Sequence, residues 1–384
     1  MNFHSSEETR SWYIHWPFCP YKCHFCPFVA IASHDQFMER YHQALLREID
    51  EFLVSTDTKP IIDTLFIGGG TPSTYPPHLL LDMFDTLKTK IDFSPTAEIT
   101  IEVNPGTVSV EKLNTWKACG INRMSVGVQS IKDNVLDNLN RKQSFKDVQW
   151  LLENGPQYIE NISVDLILGL PDVSEEEWKQ LLTQVVTWPI SHVSIYFLTV
   201  HEDTQLYFKV KKSELILPPD DSIVDLYLYS INFFAQHGFI QYEVSNFAKM
   251  DKQSRHNSIY WERKPYKAFG LGACSFDGKR RFQNQKNLMK YIADIEQNKS
   301  VTIFCEELDT EQIRLERIML GLRKSKGIDY NDLLSNIAPE KKEKTDLTLQ
   351  QLIENKFMYI SDSKIVLTPR GLAVQNQIIS QLMS

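Results

Sequence analysis

Short runs of β-branched and aromatic residues recur along the first half of the chain, and each is followed by a segment with helical spacing of its apolar residues. The runs are Trp12–His15, Thr64–Ile67, Glu98–Val103, Arg123–Val128, Ile162–Leu168 and His192–Leu198. Most are nearly continuous apolar stretches, which is typical of buried parallel strands. The helical segments span about residues 35–54, 77–91, 109–119, 145–154, 174–187 and 221–237. Six β-α units in succession predict an α/β fold with a parallel barrel or partial barrel, and a doubly wound open sheet is the alternative.

The C-terminal segment has a different pattern. Helices are predicted at Thr310–Leu322, Tyr330–Ser335, Thr348–Asn355 and Leu372–Leu382, with a hairpin formed by Phe357–Ile360 and Lys364–Leu367. Three helices before a hairpin predict a winged-helix-like α+β module. We therefore divide the chain into a barrel over residues 1–240, a barrel extension over 241–308 and a winged-helix-like domain over 309–384.

Composition narrows the class of protein. The chain has 384 residues, 42% of them hydrophobic, and a net charge of −8. This acidic balance argues against nucleic-acid binding, also for the winged-helix-like module. The N-terminus lacks the basic and apolar regions of a signal peptide, and no apolar run is long enough to span a membrane. Six cysteines are too few for a disulfide framework, so we expect a cytoplasmic protein with reduced thiols.

Three cysteines directly after the first apolar run carry the strongest chemical signal. Cys19, Cys23 and Cys26 have the spacing C-x3-C-x2-C, so their thiolates can converge on one soft metal centre. A [4Fe–4S] cluster usually takes four cysteines, and three would leave one iron open to another ligand. Zinc is the alternative, but it needs four ligands, and only His24 and His34 lie near. We favour an iron–sulfur cluster.

Polar residues and glycines gather where the predicted strands end. They are Gly68–Pro72 after the second strand, Glu102, Asn104 and Pro105 after the third, Gln129 and Ser130 after the fourth, and Asp165 within the fifth. Barrel enzymes place their chemistry in these loops, so we expect one functional face. The glycine run matches neither common phosphate-binding pattern and predicts a backbone cradle for another polar ligand. Glu102 and Asp165 interrupt apolar strands, so each carboxylate needs a ligand, a cation or hydrogen-bond donors.

Taken together and in order, these motifs resemble the radical S-adenosylmethionine (SAM) superfamily and, within it, the coproporphyrinogen-oxidase-like family. The resemblance runs from about Trp12 to the C-terminus. It is carried by Tyr13–Cys19, Cys23–Cys26, Gly68–Ser73, Glu102–Thr107, Ser125–Ser130, Asp165–Pro171 and Tyr242–Ala248. The combination is far more specific than any one motif, and it argues against a purely structural iron–sulfur or zinc protein.

The resemblance implies a set of cofactor contacts. Cys19, Cys23 and Cys26 would hold a [4Fe–4S] cluster, whose open iron would chelate the amino and carboxylate groups of SAM. Electron transfer into the sulfonium would release methionine and a 5′-deoxyadenosyl radical. Phe25 would pack near the adenine, and Tyr13 would sit over the reacting centre as the candidate catalytic residue. The implied SAM contacts are Tyr13, Phe25, Gly69, Gly70, Thr71, Glu102, Gln129, Arg141 and Asp165.

Two branches of this family differ in sequence. The branch of oxygen-independent coproporphyrinogen III dehydrogenases has a cysteine two positions after the third cluster cysteine and a longer N-terminal extension. Here that position is Phe28, and 18 residues precede Cys19. The other branch, which resembles heme-binding chaperones, carries an H-N-x-x-Y-W motif, present here as His256–Trp261. It implies that His256 contacts heme; the alternative is a structural loop histidine.

The expected function is therefore heme binding and delivery to hemoproteins, supported by the cluster and SAM. The alternative is the radical decarboxylation of coproporphyrinogen III to protoporphyrinogen IX. Expected partners are heme or a porphyrinogen, a client hemoprotein, an electron donor and, at the periphery, a membrane surface, but no nucleic acid. The chain departs from the family pattern at two places near the expected substrate pocket: Arg141-Lys142-Gln143 replaces Arg-x-His, and Val200–Thr204 replaces an acidic-Pro-Gly turn.

Overall fold

The computed structural model describes residues 9–54, 58–334 and 339–383. Strands and helices alternate through its first part, as predicted. The elements are β1 Ser11–Trp16, β2 Phe18–Cys19, β3 Ile31–Ala32, α1 Met38–Val54, β4 Ile61–Gly69, α2 Pro77–Lys90, β5 Asp92–Val103, α3 Val110–Cys119, β6 Arg123–Gln129, α4 Asp133–Asn138, α5 Phe145–Asn154, β7 Asn161–Leu168, α6 Glu175–Val185, β8 His192–Phe197, α7 Gln205–Lys211 and α8 Asp220–Gln236. Short 3-10 turns connect several of them.

One nine-stranded sheet forms the barrel. After α8 it gains β9 Ile240–Gln241, β10 Asn246–Ala248 and β11 Lys267–Phe269. The strand order is β11-β1-β4-β5-β6-β7-β8-β10-β9, and the six predicted strands lie side by side, parallel and in chain order. A doubly wound sheet would reverse its strand order at a switch point. The sequential order confirms the partial (β/α)6 barrel.

Local signals in the sequence set the helix ends. Ser174 accepts a hydrogen bond from the backbone N–H of Glu177 at 3.3 Å, and the Glu177 carboxylate accepts one from the Ser174 N–H at 2.8 Å. This capping box starts α6, and Ser144 with Asp147 starts α5 in the same way. Gly120 ends α3 with a left-handed backbone (φ 89°) that glycine adopts without strain. The chain then enters the next strand directly.

The barrel strands are parallel and buried on most of both faces, as predicted, and polar and apolar side chains alternate along them. On β7, Ile162, Val164 and Leu166 belong to the main hydrophobic core, whereas Ser163 and Asp165 take the positions between them. Successive side chains of a strand point to opposite faces, so the apolar set packs against the helices and the polar set faces the barrel interior. The interior of the barrel is therefore lined by polar side chains that can contact a ligand.

The extension after the barrel adds α9 Arg255–Trp261, β12 Cys274–Phe276, β13 Arg280–Asn284, α10 Leu288–Glu296 and β14 Thr302–Glu307. Strands β12, β13 and β14 form an antiparallel sheet. Glu48 of α1 joins this segment to the barrel. Its buried carboxylate accepts hydrogen bonds from the Gly270 N–H, the Asn284 amide and the Tyr291 hydroxyl at 2.6–2.8 Å. These bonds compensate for the burial of the charge.

The C-terminal part has the predicted winged-helix-like order. It consists of α11 Thr310–Gly321, β15 Ile328–Asp329, α12 Tyr330–Leu334, α13 Pro339–Glu354, β16 Met358–Ser361, β17 Lys364–Leu367, α14 Pro369–Ala373 and α15 Gln375–Met383. The hairpin β16–β17 pairs with β15 in one small sheet. Ser335, the predicted end of the second helix, lies outside the described residues. The predicted last helix is two helices, and the three domain boundaries stay a prediction.

No helix within the described residues is long and apolar enough to cross a membrane.

Candidate functional site

A cavity of about 400 Å³ opens where the barrel strands end. It contains the polar interior residues of the strands and the loop that carries the three cysteines. Of the residues that the resemblance implies as cluster or SAM contacts, it is lined by Cys19, Cys23, Phe25, Cys26, Gly69, Gly70, Thr71, Glu102, Gln129, Arg141 and Asp165. Tyr13 and His256 are not among the lining residues. The fold thus brings together residues that are up to 146 positions apart in the chain.

The cysteine loop is held by backbone bonds to two distant segments. The His24 N–H donates to the Leu139 carbonyl and the Leu206 N–H donates to the His24 carbonyl, each at 2.9 Å. Residues after α4 and at the start of α7 therefore support the loop from outside. Phe25 packs on the small apolar cluster that includes Leu139 and Leu206. The loop thus has a defined path between its cysteines.

The three thiols are presented in different surroundings. Thr71 Oγ1 donates a hydrogen bond to Cys19 Sγ at 3.1 Å, and Arg141 Nη1 lies 3.8 Å from Cys23 Sγ. Burial raises the pKa of Cys19 to about 11, against the lowering effect of Thr71, and burial also raises the pKa of Cys26. Iron must therefore displace protons from these thiols, as is general for thiolate ligands.

The donor set matches the expected cluster. Within the described residues, no three His, Cys, Asp or Glu side chains are positioned to hold a single metal ion. Cysteine thiolates are the usual ligands of iron–sulfur clusters. Three thiols that share one cavity are the donor set that such a cluster requires. We therefore treat the loop as a candidate [4Fe–4S] site.

The glycine run at the end of β4 lets the backbone pass close to the cysteine loop. A Cβ atom on Gly70 would lie 2.5 Å from the Pro17 carbonyl oxygen and 3.0 Å from Cys19 Sγ. Gly69 has φ 119°, and a Cβ atom there would lie 2.7 Å from the His15 ring. Both distances are far below contact distance, so side chains at these positions would displace the loop or the ring. The N–H of Gly69 donates to Glu102 Oε2 at 3.0 Å.

His15 connects the barrel floor to the end of the cysteine loop. Its Nε2 lies 2.8 Å from the Val29 carbonyl oxygen, and its Nδ1 lies 3.2 Å from the Tyr13 hydroxyl. Burial lowers the pKa of His15 to about 4, so the ring is neutral at physiological pH. A neutral ring that donates from Nε2 and accepts at Nδ1 satisfies both neighbours.

Two carboxyl groups face the cavity from β5 and β7. Burial, and to a smaller extent the charge of Asp165, raise the pKa of Glu102 to about 7, although the Gly69 N–H opposes the shift. Burial also raises the pKa of Asp165, against hydrogen bonds from Ser194 and Ser125. Ser125 donates to Asp165 Oδ2 at 3.0 Å, but Oδ1 is buried and has no partner within the described residues. A buried acceptor of this kind fits a ligand donor.

Gln129 ends β6, and Arg141 reaches the cavity from the segment between α4 and α5. Gln129 has a left-handed backbone (φ 65°) beside a bulge in the pairing of β6 with β7. Arg141 donates from Nη2 to the Gly127 carbonyl at 2.9 Å and from Nε to the Gln143 side chain at 2.8 Å. Strained backbone and bulges are common next to functional sites.

Gln143 has a role that the sequence reasoning missed. Its Nε2 donates to the carbonyls of Gly127 and Val128 at 2.9–3.0 Å, while its Oε1 accepts from Arg141. Gln143, which stands where relatives have histidine, therefore holds Arg141 over the cavity. The unusual residue at this position was the one sign of this role in the sequence.

Tyr13 lies beneath the glycine run and not at the cavity wall. A Cβ atom on Gly68 would meet the Tyr13 ring at 2.9 Å and Glu102 Oε2 at 3.1 Å, so Tyr13 and Glu102 flank this glycine. The structure places Tyr13 next to a predicted cofactor contact but does not bring it to the cavity. Its catalytic role stays a prediction.

His256 is enclosed in the barrel wall. Its Nδ1 lies 2.8 Å from Thr64 Oγ1, its Nε2 lies 2.8 Å from the Tyr260 hydroxyl, and its ring stacks on Phe66. Its side chain is buried, which lowers its pKa to about 3. Both ring nitrogens are therefore engaged, and the structure does not bring His256 together with the cavity. A heme contact at His256 also stays a prediction.

Several cavity residues carried no motif in the sequence. Tyr196, Phe197, Leu198 and Thr199 end β8 or follow it, and they form a wall together with Ile167, Pro27 and Phe28. Tyr196 and Phe28 expose 42% and 65% of their surface. His201 lies at the exposed rim of this wall. The cavity thus combines a polar floor with an apolar wall.

Comparisons with known proteins agree with this geometry. The model of the radical SAM superfamily matches residues 13–185, and that of the HemN C-terminal domain matches residues 308–374. The heme chaperone HemW of Bacillus subtilis is 32% identical, over 97% of this chain and 99% of its own length. HemW of Synechocystis is also 32% identical, over 97% and 96%. The solved structure of coproporphyrinogen III oxidase (HemN) from Escherichia coli matches with a TM-score of 0.83 at 22% identity, over 98% and 92%, which shows the same fold.

We expect Gly70→Ala to abolish most cluster loading, because the new methyl group would overlap the Pro17 backbone beside Cys19. The measurement is the visible absorbance of the anaerobically reconstituted protein, relative to its concentration. Gly120→Ala is the control, since nothing lies within 4 Å of its Cβ position and its left-handed backbone costs only about 1–2 kcal/mol. Equal loading of Gly70→Ala and the wild type would contradict the close approach.

We expect SAM to bind more tightly as the pH rises through about 7, because the Glu102 carboxyl loses its proton there and becomes a better acceptor for the cofactor's donors. Below this pH the affinity should fall by up to about tenfold per pH unit. Glu102→Gln should flatten the profile, and the exposed Glu111→Gln should not. Equilibrium dialysis between pH 6 and 9 checks this. A wild-type profile that is already flat would remove Glu102 from the titrating contact.

Proposed function

Because this chain belongs to the HemW family of radical SAM proteins, we propose that it binds heme and delivers it to hemoproteins. The observation that carries the proposal is the similarity, over nearly the full length of both chains, to two proteins described as heme chaperones. The superfamily implies a [4Fe–4S] cluster and SAM as resident cofactors. Cys19, Cys23 and Cys26 would hold the cluster, which supplies electrons to the sulfonium of bound SAM.

The chain's own residues have three tasks at the cofactors. The glycine run allows close approach of a ligand to the backbone, and the carboxylates of Glu102 and Asp165 offer acceptors. Arg141 is held by Gly127 and Gln143 and contributes a fixed positive charge. Phe25 covers the cavity beside the apolar cluster and excludes water from this side. Such preorganised groups bind a polar cofactor without reorganisation.

The wall and rim of the cavity support a heme site. Heme is a flat apolar ring with an iron at its centre and two carboxylates at one edge. Phe28, Tyr196 and Leu198 offer apolar surface, His201 offers an imidazole, and Lys22 offers a cation, all at the same opening. Imidazole is a common axial ligand of heme iron. We therefore propose that heme binds at this rim, with His201 closer to the iron than His256.

Decarboxylation of coproporphyrinogen III is the less supported alternative. The HemN structure shares the fold, but a likeness at 22% identity supports the fold alone. Phe28 offers no thiol at the position where the dehydrogenase branch has a cysteine, and its side chain is largely exposed at the rim.

The proposed setting is the cytoplasm. All six cysteines are free thiols. Thiolate cluster ligands require reducing conditions, which the cytoplasm provides. A client hemoprotein and an electron donor are part of the proposal, since delivery needs a recipient and the cofactor chemistry needs electrons.

One anaerobic assay separates the two functions. The reconstituted protein is incubated with reductant, SAM and coproporphyrinogen III, and the products are separated by chromatography. We expect no protoporphyrinogen, whereas heme titration should give a saturable spectral change and transfer to an apo-hemoprotein. Protoporphyrinogen formed over many turnovers would contradict the chaperone proposal and establish the dehydrogenase.

A matched pair of variants locates the heme. His201→Gln should change the heme spectrum and weaken binding severalfold, because an exposed imidazole at the rim is lost. His256→Gln should lower the stability of the fold and leave the spectrum unchanged, because both of its ring nitrogens are engaged within the wall. Absorbance spectra at saturating heme and thermal unfolding measure the two effects. The reverse pattern would place heme at the H-N-x-x-Y-W motif.

A further inference from the structure

Arg123 lies inside the barrel, beneath the cofactor cavity, and no motif or function above has used its side chain. It begins β6 and is 1% exposed. Its Nε and Nη1 atoms are buried and have no hydrogen-bond partner among the residues that the structure describes. A buried cation without partners is costly unless nearby opposite charge stabilises it. The position of Arg123 therefore needs an electrostatic explanation.

The strand register directs Arg123 towards the two cavity carboxyls. Arg123, Ser125 and Gly127 share one face of β6, since side chains alternate along a strand. Ser125 bonds to Asp165, and both Ser125 and Gly127 line the cavity, so this face is the interior. Arg123 pairs with Thr100, which lies two residues below Glu102 on the same face of β5. Two residues along a strand correspond to about 7 Å, within the reach of an arginine side chain.

The charge of Arg123 acts on carboxyls above it and on histidines around it. It lowers the pKa of Glu102 and of Asp165, in opposition to burial. It also lowers the pKa of His192 and His256, whose main cause of lowering is burial. Both rings are thus neutral and do not add positive charge near the acids.

The other charged groups on this side are already engaged. Glu98 accepts hydrogen bonds from the backbone N–H groups of Arg255 and His256. Glu243 is bonded to the Ser245 N–H and the Asn246 side chain. Above the acids, Arg141 contributes to the pKa of Asp165 from the rim. Arg123 is thus the cation that acts on Glu102 and Asp165 together from below.

We propose that Arg123 is a positioning residue for SAM binding, because its buried guanidinium lies on the interior face below Glu102 and Asp165 and offsets part of their negative charge. Two carboxylates that share a site of low dielectric repel each other, and without a cation one of them stays protonated. A protonated carboxyl donates a hydrogen bond, so it mismatches the donors of the cofactor. The proposal rests on the cofactor part of the proposed function and is independent of heme.

The test compares three variants of the full chain, each reconstituted anaerobically. Arg123→Met removes the charge but keeps apolar bulk, Arg123→Lys keeps the charge, and Arg314→Met makes the same change at a buried arginine of the C-terminal helix α11. Equilibrium dialysis measures the Kd for SAM between pH 6 and 9. Cluster absorbance and thermal unfolding are recorded for every variant.

We expect Arg123→Met to weaken SAM binding at least about tenfold at pH 7, with its pH profile displaced upward by one unit or more, so that affinity recovers at higher pH. Arg123→Lys should restore the wild-type profile, and Arg314→Met should not change it. Should Arg123→Met fail to load its cluster, adding Glu102→Gln removes one of the two competing charges and should restore loading.

An equal loss of affinity at every pH that lysine does not rescue, or a failure of cluster loading that Glu102→Gln does not restore, would overturn the proposal in favour of a structural role. An unchanged Kd and profile in Arg123→Met would overturn it as well. A wild-type protein that binds no SAM at any pH would overturn the cofactor assignment and this proposal with it, and that failure is recognised in the wild type alone.

Discussion

The two-residue alternation of the barrel strands is the constraint on which the rest of the structure depends. Along β7 and its neighbours, every second side chain is apolar and packs against the helices, which leaves the intervening positions free to be polar. Many parallel barrels fill their interior with branched apolar side chains. Here the outer face alone carries the main hydrophobic core, so the interior can hold Glu102, Arg123 and Asp165 without breaking the packing that keeps the barrel folded.

The separation of an apolar outer face from a polar interior explains how the site is assembled. The carboxyls stand on the long barrel strands, whereas Cys19 ends the two-residue strand β2 and the other two cysteines stand on the loop after it. The loop is fixed by backbone hydrogen bonds to Leu139 and Leu206 and by the hydrogen bond of His15 to Val29. The glycine run brings the strands and the cysteine loop together, since it allows the end of β4 to lie against Pro17 and Cys19. Rigid and supported elements together give one preorganised cavity.

The sequence predicted the six strands, their order and the side of the barrel that carries the chemistry, because strand-end residues of special type mark that side. Eleven of the residues expected as cluster or SAM contacts line one cavity for this reason. The prediction of buried parallel strands is confirmed, and the alternation of Ser163 and Asp165 with aliphatic residues is visible in the sequence as well. The roles of Gln143 and Tyr196 were not predicted, because they depend on partners that lie on other strands and helices. His256 sits in a motif, but only the fold shows that both of its nitrogens are engaged.

The pairing of β1 with β11 has a consequence for how the protein matures on the ribosome. The strand that leads into the cysteine loop is flanked on one side by β4 and on the other by β11, whose residues follow it by more than 250 positions. Until Lys267–Phe269 has been synthesised, this strand has an open edge. Gly272, whose missing side chain leaves room for Val29 at the end of the loop, is not yet in place either. The nascent chain therefore presents its thiols on an incompletely supported loop, and the last barrel strand completes that support only late in translation.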